Sequence, residues 1–289
     1  MDWLLATLMM SLWLLLSSLP MVVLDLLAAG IAPVYRVLAR RDRQRLESNV
    51  HRIYGLPARS HFAQMFCRQV FREQVAIALE TMRVIRYPAL AKVIGFEELR
   101  AQVTRAEAAG RGHIMITAHL GSWELCAYYA QKAASRPLHV LAKPAKRKFL
   151  TRFLAGLRAR MQVNVLWTDR KTLLRDMLGA LRRGESLGFV MDQKPEGRQG
   201  PKVDFLGLPT EFVTGPAAMA IRSGCPVIAI FCVREGSGRY RLISRTLLSA
   251  DHGETDEAAL TARFAAAIGS AIRAYPEQWT WSYKRWRTT

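Results

Sequence analysis

Short apolar runs that alternate with helical segments are the feature of this sequence that most restricts its fold. β-Branched and other large apolar residues dominate these runs, and segments of helical composition follow most of them. Strands that alternate with helices form parallel sheets with both faces covered. The sequence therefore predicts an α/β fold with a mostly parallel central sheet covered by helices. The main runs are GHIMITAHLG, PLHVLAK, VNVLW, SLGFVMD and CPVIAIFCVRE.

A long uncharged stretch precedes this region. Trp3 to Leu24 contains 22 residues without a charge and is interrupted only by Pro20. That length is sufficient to cross a bilayer. Asp2 stands where a cleaved signal peptide would carry basic residues, so an uncleaved N-terminal membrane-anchoring helix fits better. Arginines follow the stretch, and the positive-inside rule then places the rest of the chain in the cytoplasm. They are Arg36, Arg40, Arg41, Arg43 and Arg45.

Two other interpretations of the N-terminal stretch stay open. It could form a long buried helix, or it could lie along the membrane surface, because Pro20 can bend it within the headgroup layer.

The net charge restricts the partners of the chain. Lys and Arg number 42 against 23 acidic residues, which gives a formal net charge of +19. Such a chain attracts nucleic acid, anionic lipid or an acidic carrier protein. The four cysteines lack CxxC spacing and neighbouring histidines, so we expect buried free thiols and no metal or redox cofactor.

A histidine follows the first of the apolar runs. His119 lies where an α/β sheet places functional groups, at the carboxyl end of a predicted strand. We expect a helix to begin near Ser122, which places Glu124 in its first turn and within reach of the histidine. A carboxylate on one ring nitrogen leaves the other free to take a proton from a hydroxyl group. The alternative is that His119 is a structural histidine and Glu124 a helix-capping acid.

The motifs around this pair resemble a known family. The segment TAHLGSWELCAY, the basic segment that opens with LAKP, and the strand that ends in MDQ carry the resemblance. So do VDFLGLPTEFVTGPAAMAIRSGCPVI and the C-terminal YPEQWTWSYKRWR. Together they are similar to the late acyltransferases of lipid A biosynthesis, which belong to the wider glycerolipid acyltransferase superfamily.

The resemblance implies a reaction and a division of the chain. His119 would be the general base and Glu124 its orienting partner. The donor would be a thioester of acyl carrier protein or coenzyme A, and the acceptor a hydroxyl of a lipid A precursor. Residues 1–35 would be the membrane anchor and residues 36–289 the acyltransferase domain. The protein would lie at the bacterial inner membrane, with its catalytic domain on the cytoplasmic side.

Further residues are candidates for substrate binding. Asp192 and Gln193 correspond to an Asp-Gln pair of the family, and Thr214 precedes a helix whose N-terminus can accept an anion. Residues 132–160 contain nine Lys or Arg and no acid. This basic segment suits phosphates, the acidic carrier protein or an anionic membrane surface. Within it, we predict that Lys143 and Arg158 contact the acceptor phosphate.

Several alternatives remain at this point. The acceptor could be a lysophospholipid or another glycolipid, because Lys143 stands where the family usually carries arginine. A basic membrane-bound scaffold would explain the charge without catalysis. We do not expect nucleic-acid binding, since no recognised binding motif is present. The C-terminal aromatic residues Trp279, Trp281, Tyr283 and Trp286 could lie at a membrane interface or pack as a strap.

Overall fold

The computed structural model describes residues 2–57, 60–195 and 200–286. The strands in this part of the chain are β1 (Lys92–Ile94), β2 (Ile114–Thr117), β3 (Leu138–Ala142), β4 (Asn164–Trp167), β5 (Ser186–Val190), β6 (Lys202–Phe205), β7 (Leu208–Glu211), β8 (Val227–Gly236) and β9 (Arg239–Leu248). The α-helices are α1 (Asp2–Ser18), α2 (Met21–Leu38), α3 (Arg40–Tyr54), α4 (His61–Arg86), α5 (Phe96–Glu107), α6 (Trp123–Ala133), α7 (Lys148–Arg160), α8 (Leu173–Arg182), α9 (Gly215–Ser223) and α10 (Glu257–Ala274).

A central sheet organises the fold. Its strand order is β1-β9-β8-β2-β5-β3-β4, and a separate hairpin joins β6 to β7. Neighbouring strands are parallel except for β8 and β9, which are antiparallel. The predicted α/β class with a mostly parallel sheet is therefore confirmed.

Helices cover both faces of this sheet. Because side chains alternate along a strand, Met115 of β2 packs with Leu125 and Cys126 of α6, on one face. Ile114 and Ile116 belong to a separate cluster on the other face, which includes residues of α8, α9 and α10. This double burial explains why the strand sequences are continuously apolar. All four cysteines are buried and free.

The N-terminal stretch differs from its predicted form. The sequence predicts one helix from Trp3 to Leu24, but the chain forms α1 and α2, which are separated at Pro20. Proline has no N–H group and disfavours helical backbone in the residue before it, so a new helix begins after it. Of the described helices, only α2 is long and apolar enough to cross a membrane. It extends past the predicted domain boundary at residue 35, and that boundary stays a prediction.

One face of α2 packs on the folded domain, chiefly on α4. Leu24, Ala28 and Ala32 are buried in this contact. The spacing of these small and apolar residues, at positions i, i+4 and i+8, forms one stripe of the helix. The remaining surface of α2 is largely exposed and apolar, with Leu26 68% exposed and Val37 55% exposed. Both faces of α2 are therefore apolar, but only one of them is covered by the domain.

A buried ion cluster fixes α2 to the sheet. Arg234 of β8 lies 2.8 Å from Asp25 of α2 and 2.9 Å from Glu80 of α4, and Glu73 is the third carboxylate around it. The Tyr240 hydroxyl donates to Glu80 at 2.6 Å. The Arg234 side chain is only 8% exposed, so its charge is held by protein carboxylates instead of water.

The C-terminal aromatic residues form a packed strap. Trp279 and Trp281 are buried, and Trp279 makes ring contacts with Trp281, Phe205 and Trp286. Between the two alternatives for this segment, the structure favours packing for these tryptophans.

We predict that Arg234→Met lowers the free energy of unfolding by about 3–5 kcal/mol, because it leaves buried carboxylates without their counter-charge. The matched control is Arg241→Met. Arg241 pairs with Glu235 at the surface, so its loss should cost less than about 1 kcal/mol. Chemical denaturation of both variants measures the difference, and equal losses would contradict this account of the cluster.

Candidate active site

The candidate site lies at the carboxyl ends of two neighbouring parallel strands. β2 pairs with β5 so that Thr117 lies beside Val190. His119 and Asp192 each follow these paired residues by two positions, so the register alone brings them together. This edge is where open α/β sheets bind their ligands.

His119 is held by Asp192 through two hydrogen bonds. Its ring Nδ1 lies 2.8 Å from Asp192 Oδ1, and its backbone N–H donates to Asp192 Oδ2 at 3.1 Å. Trp279 Nε1 donates to the same Oδ2 at 2.8 Å. Asp192 is buried, and both of its oxygens are engaged within the protein. An ionised carboxylate on Nδ1 requires that this nitrogen carry the proton, which leaves Nε2 as the acceptor.

This contact differs from the sequence-based prediction. Glu124 was expected to orient His119, and Asp192 was expected to bind substrate. In the structure Asp192 forms a hydrogen bond with the imidazole, while Glu124 forms a salt bridge with Arg158 of α7. The physical reason is that strand pairing places Asp192 directly beside His119, whereas α6 directs Glu124 toward α7.

The charges around His119 favour its protonated form. Burial lowers the pKa of His119, but the neighbouring Asp192 carboxylate and its hydrogen bond outweigh this effect and raise the pKa above its ordinary value. Glu124 adds to this rise, and Arg158 opposes it. Burial raises the pKa of Asp192, yet its contacts with His119 and Trp279 bring the pKa below the ordinary value. The carboxylate is therefore favoured in its ionised form and the imidazole is made more basic, as expected for a base that is supported by a carboxylate.

Glu124 and Arg158 form a second pair beside the first. Arg158 Nε donates to Glu124 Oε2 at 3.0 Å, and Nη2 donates to Oε1. This two-pronged geometry fixes both side chains. In the structure the guanidinium of Arg158 pairs with Glu124, and its contact with an acceptor phosphate stays a prediction.

A cavity of about 570 Å³ opens in front of His119. Of the predicted substrate-binding residues, Lys143, Arg158 and Gln193 line this cavity. The Gln193 side-chain nitrogen lies 3.5 Å from His119 Nε2. Thr214 is the N-cap of α9, and the next two residues, Gly215 and Pro216, form part of the cavity wall. The structure therefore groups these predicted residues around one space, and their roles in binding stay predictions.

A narrow apolar cavity adjoins the first. It lies between α6 and the sheet, has a volume of about 60 Å³, and its lining includes Met115, Ala130 and Leu138. Trp123 and Arg158 line both cavities, so the two spaces meet beside Glu124. A second apolar cavity, of about 380 Å³, lies between α4 and α7 and shares Trp123 with the others.

Trp279 is a site residue that the sequence analysis did not identify. Its indole N–H fixes Asp192, and its backbone pairs with Leu120 next to His119. Nearby, the Thr280 hydroxyl donates to the His119 carbonyl oxygen at 3.1 Å. The only sequence signal was the C-terminal run of aromatic residues, which does not specify what those residues contact.

Comparison with known proteins identifies the family. The sequence model of the bacterial lipid A biosynthesis acyltransferase family matches residues 1–288. The chain is 24% identical to a phosphatidylinositol mannoside acyltransferase of Mycobacterium tuberculosis over 258 residues, which are 84% of this chain and 77% of the relative. It is 27% identical to a lipid A biosynthesis palmitoleoyltransferase of Escherichia coli over 187 residues, which are 64% of this chain and 58% of the relative.

These matches confirm the resemblance inferred from the motifs, and they exclude the non-catalytic scaffold as the family function. Since the family model covers nearly the whole sequence, the chain belongs to the bacterial lipid A biosynthesis acyltransferase family and is an acyltransferase.

Proposed function

We propose that the chain transfers a fatty-acyl group from a thioester of acyl carrier protein or coenzyme A to a hydroxyl of a glycolipid, with a lipid A precursor as the first candidate acceptor. The observation that carries this proposal is the His119–Asp192 pair at the wall of a basic cavity. The pair is a base held in one tautomer, which is what activation of a hydroxyl group requires.

The reaction proceeds by direct transfer. His119 Nε2 takes the proton of the acceptor hydroxyl as its oxygen attacks the thioester carbonyl carbon. The tetrahedral intermediate collapses, the carbon–sulfur bond breaks, and the imidazolium returns the proton to the leaving thiolate. Asp192 stabilises the transient imidazolium. The steps consume one hydroxyl and one thioester, release one ester and one thiol, and need no metal or redox cofactor.

We assign the remaining polar residues to positioning and acceptor binding. Glu124 holds Arg158 at the point where the cavities meet, and its negative charge supports the imidazolium. Lys143 and the N-terminus of α9 lie at the same cavity, where they suit the phosphate of a glycolipid headgroup. Gln193 lies beside Nε2, where its amide can orient the acceptor hydroxyl.

A different glycolipid acceptor is the second candidate. The mycobacterial relatives are named for acyl transfer to phosphatidylinositol mannoside, and one of them aligns with more of this chain than the lipid A enzyme does. Both acceptors combine sugar hydroxyls with phosphate, so the basic cavity suits either one.

We propose that the protein attaches to the cytoplasmic face of the inner membrane through α1 and α2. Leu8, Leu12 and Leu15 of α1 are exposed, as are Leu26, Val34 and Val37 of α2. Because Asp25 bonds Arg234 and α2 packs along α4, we favour a helix that lies on the membrane beside the domain over one that crosses it.

A mass-spectrometric assay tests the reaction. Solubilised protein is incubated with acyl carrier protein or coenzyme A thioesters and with a panel of lipid A precursors, phosphatidylinositol mannosides and lysophospholipids. We expect one glycolipid class to be acylated, and His119→Ala to reduce turnover by about 10²–10⁴-fold, the typical contribution of a general base.

The matched control is His139→Ala. His139 pairs with Glu185 away from this cavity, so this variant should keep its turnover. Wild-type turnover by His119→Ala would exclude it as the base, and acylation of lysophospholipid alone would contradict the glycolipid proposal.

A second prediction concerns chain length. We assign the acyl chain to the apolar cavity between α4 and α7, because its volume is about 380 Å³ and it shares Trp123 and Leu154 with the His119 cavity. Ala78→Leu, which narrows this cavity, should shift preference toward shorter donors, since each methylene that no longer fits costs about 1–3 kcal/mol. Competition among donors of different length measures this shift. Ala130→Leu, in the cavity of about 60 Å³ beneath α6, should leave the preference unchanged; a shift in this variant alone would place the chain there instead.

A further inference from the structure

A further cavity, separate from the catalytic cavity, lies between α2 and α4. Its volume is about 520 Å³. The described residues that line it are Ala29, Ala32, Pro33, Arg36, Arg68 and Arg72. We refer to it as the arginine cavity. Every charged side chain in this lining is positive, so the space favours an anion.

Helical spacing directs the arginines into the same space. Arg68 and Arg72 lie four residues apart on α4, and Arg36 extends from α2 on the same stripe as Ala29 and Pro33. Like charges at this spacing repel each other. A bound anion would relieve this repulsion among the three guanidinium groups.

The nearby carboxylates supply a counter-charge only in part. Glu73 interacts with Arg72 through space but forms its ion pair with Arg234, and Glu47 lies 3.8 Å from Arg43. Among the described residues, no carboxylate lies within ion-pair distance of Arg36, Arg68 or Arg72. Arg68 and Arg72 are exposed, so an anion from outside the chain can reach them.

The surroundings of the cavity indicate the source of the anion. Leu26 and Val37 flank the α2 wall and are exposed, and Phe62 and Met65 lie within two turns of Arg68 on α4. These apolar side chains continue the surface that we expect to enter the membrane. Lipid phosphates lie at the boundary between the apolar and aqueous layers, so a basic cavity beside this apolar surface is well placed to reach them.

We propose that the arginine cavity binds the phosphate of an anionic glycerophospholipid. Arginine presents paired N–H donors that match phosphate oxygens. The small side chains of Ala29 and Ala32 leave room for the glycerol part of the headgroup, and the absence of acidic lining residues disfavours headgroups that carry an amine. The bound lipid would fix α2 and α4 relative to the bilayer. This site does not depend on the proposed reaction, since no residue of its lining belongs to the catalytic cavity.

Vesicle co-sedimentation of the full chain tests the proposal. We expect tighter binding to vesicles of phosphatidylcholine with phosphatidylglycerol than to phosphatidylcholine alone. Arg68→Gln with Arg72→Gln should weaken binding to the anionic vesicles by about tenfold to thirtyfold. Arg68→Lys with Arg72→Lys keeps the charge but removes the paired donors, and it should lose most of the same affinity.

Controls separate a specific site from general attraction. Arg100→Gln with Arg105→Gln removes the same charge from α5, where both side chains are exposed, and should retain the preference. Wild-type affinity in the lysine variant, or an equal loss in the α5 variant, would overturn the site. Displacement of the protein from anionic vesicles by inorganic phosphate at constant ionic strength would assign the cavity to free phosphate and overturn the lipid proposal. Thermal unfolding of each variant verifies that it is folded.

Discussion

The hydrogen bond between His119 and Asp192 depends on the register of two parallel strands, and the rest of the site is arranged around it. β2 and β5 end at the same level, so both residues leave the sheet at one edge. Trp279 then binds the second oxygen of Asp192 from the C-terminal strap. A buried carboxylate with three donors remains ionised and holds the imidazole in a single orientation. The base is therefore assembled from three segments that are distant in sequence.

The same C-terminal strap links this pair to the N-terminal helices. Gln278, which precedes Trp279, exchanges two hydrogen bonds with the backbone of Arg234, at 2.8 Å and 2.7 Å. The Arg234 side chain holds Asp25 of α2 together with two carboxylates of α4. One residue of β8 therefore anchors the N-terminal helices through its side chain and the strap through its backbone. This arrangement places a base in the protein interior at a fixed position relative to the surface that we expect to contact lipid.

Sequence patterns predicted the sheet and the position of His119 after the end of a strand, because both depend on local signals. Alternation of apolar runs with helices is a local property, and so is the position of a histidine after a strand. The partner of His119 is not local: Glu124 is five residues away, but Asp192 is brought in by strand pairing across 73 positions. The strap was ambiguous for the same reason, since aromatic residues suit both a lipid interface and a protein core. The apolar residues on both sides of Pro20 are typical of one continuous helix, so composition alone did not indicate that α1 ends and α2 begins there.

The most direct test of this account is the titration of His119 by NMR in ¹⁵N-histidine-labelled protein, assigned with His119→Ala. We predict a proton on Nδ1 in the neutral form and a pKa above the ordinary histidine value, so turnover should fall as pH decreases through that pKa. Asp192→Asn should lower the pKa, because burial then acts without the opposing carboxylate, and should move the acidic limb of the rate profile to lower pH. Glu124→Gln should lower it less. A proton on Nε2, or a pKa that falls with Glu124→Gln but not with Asp192→Asn, would contradict the His119–Asp192 pair as the catalytic base.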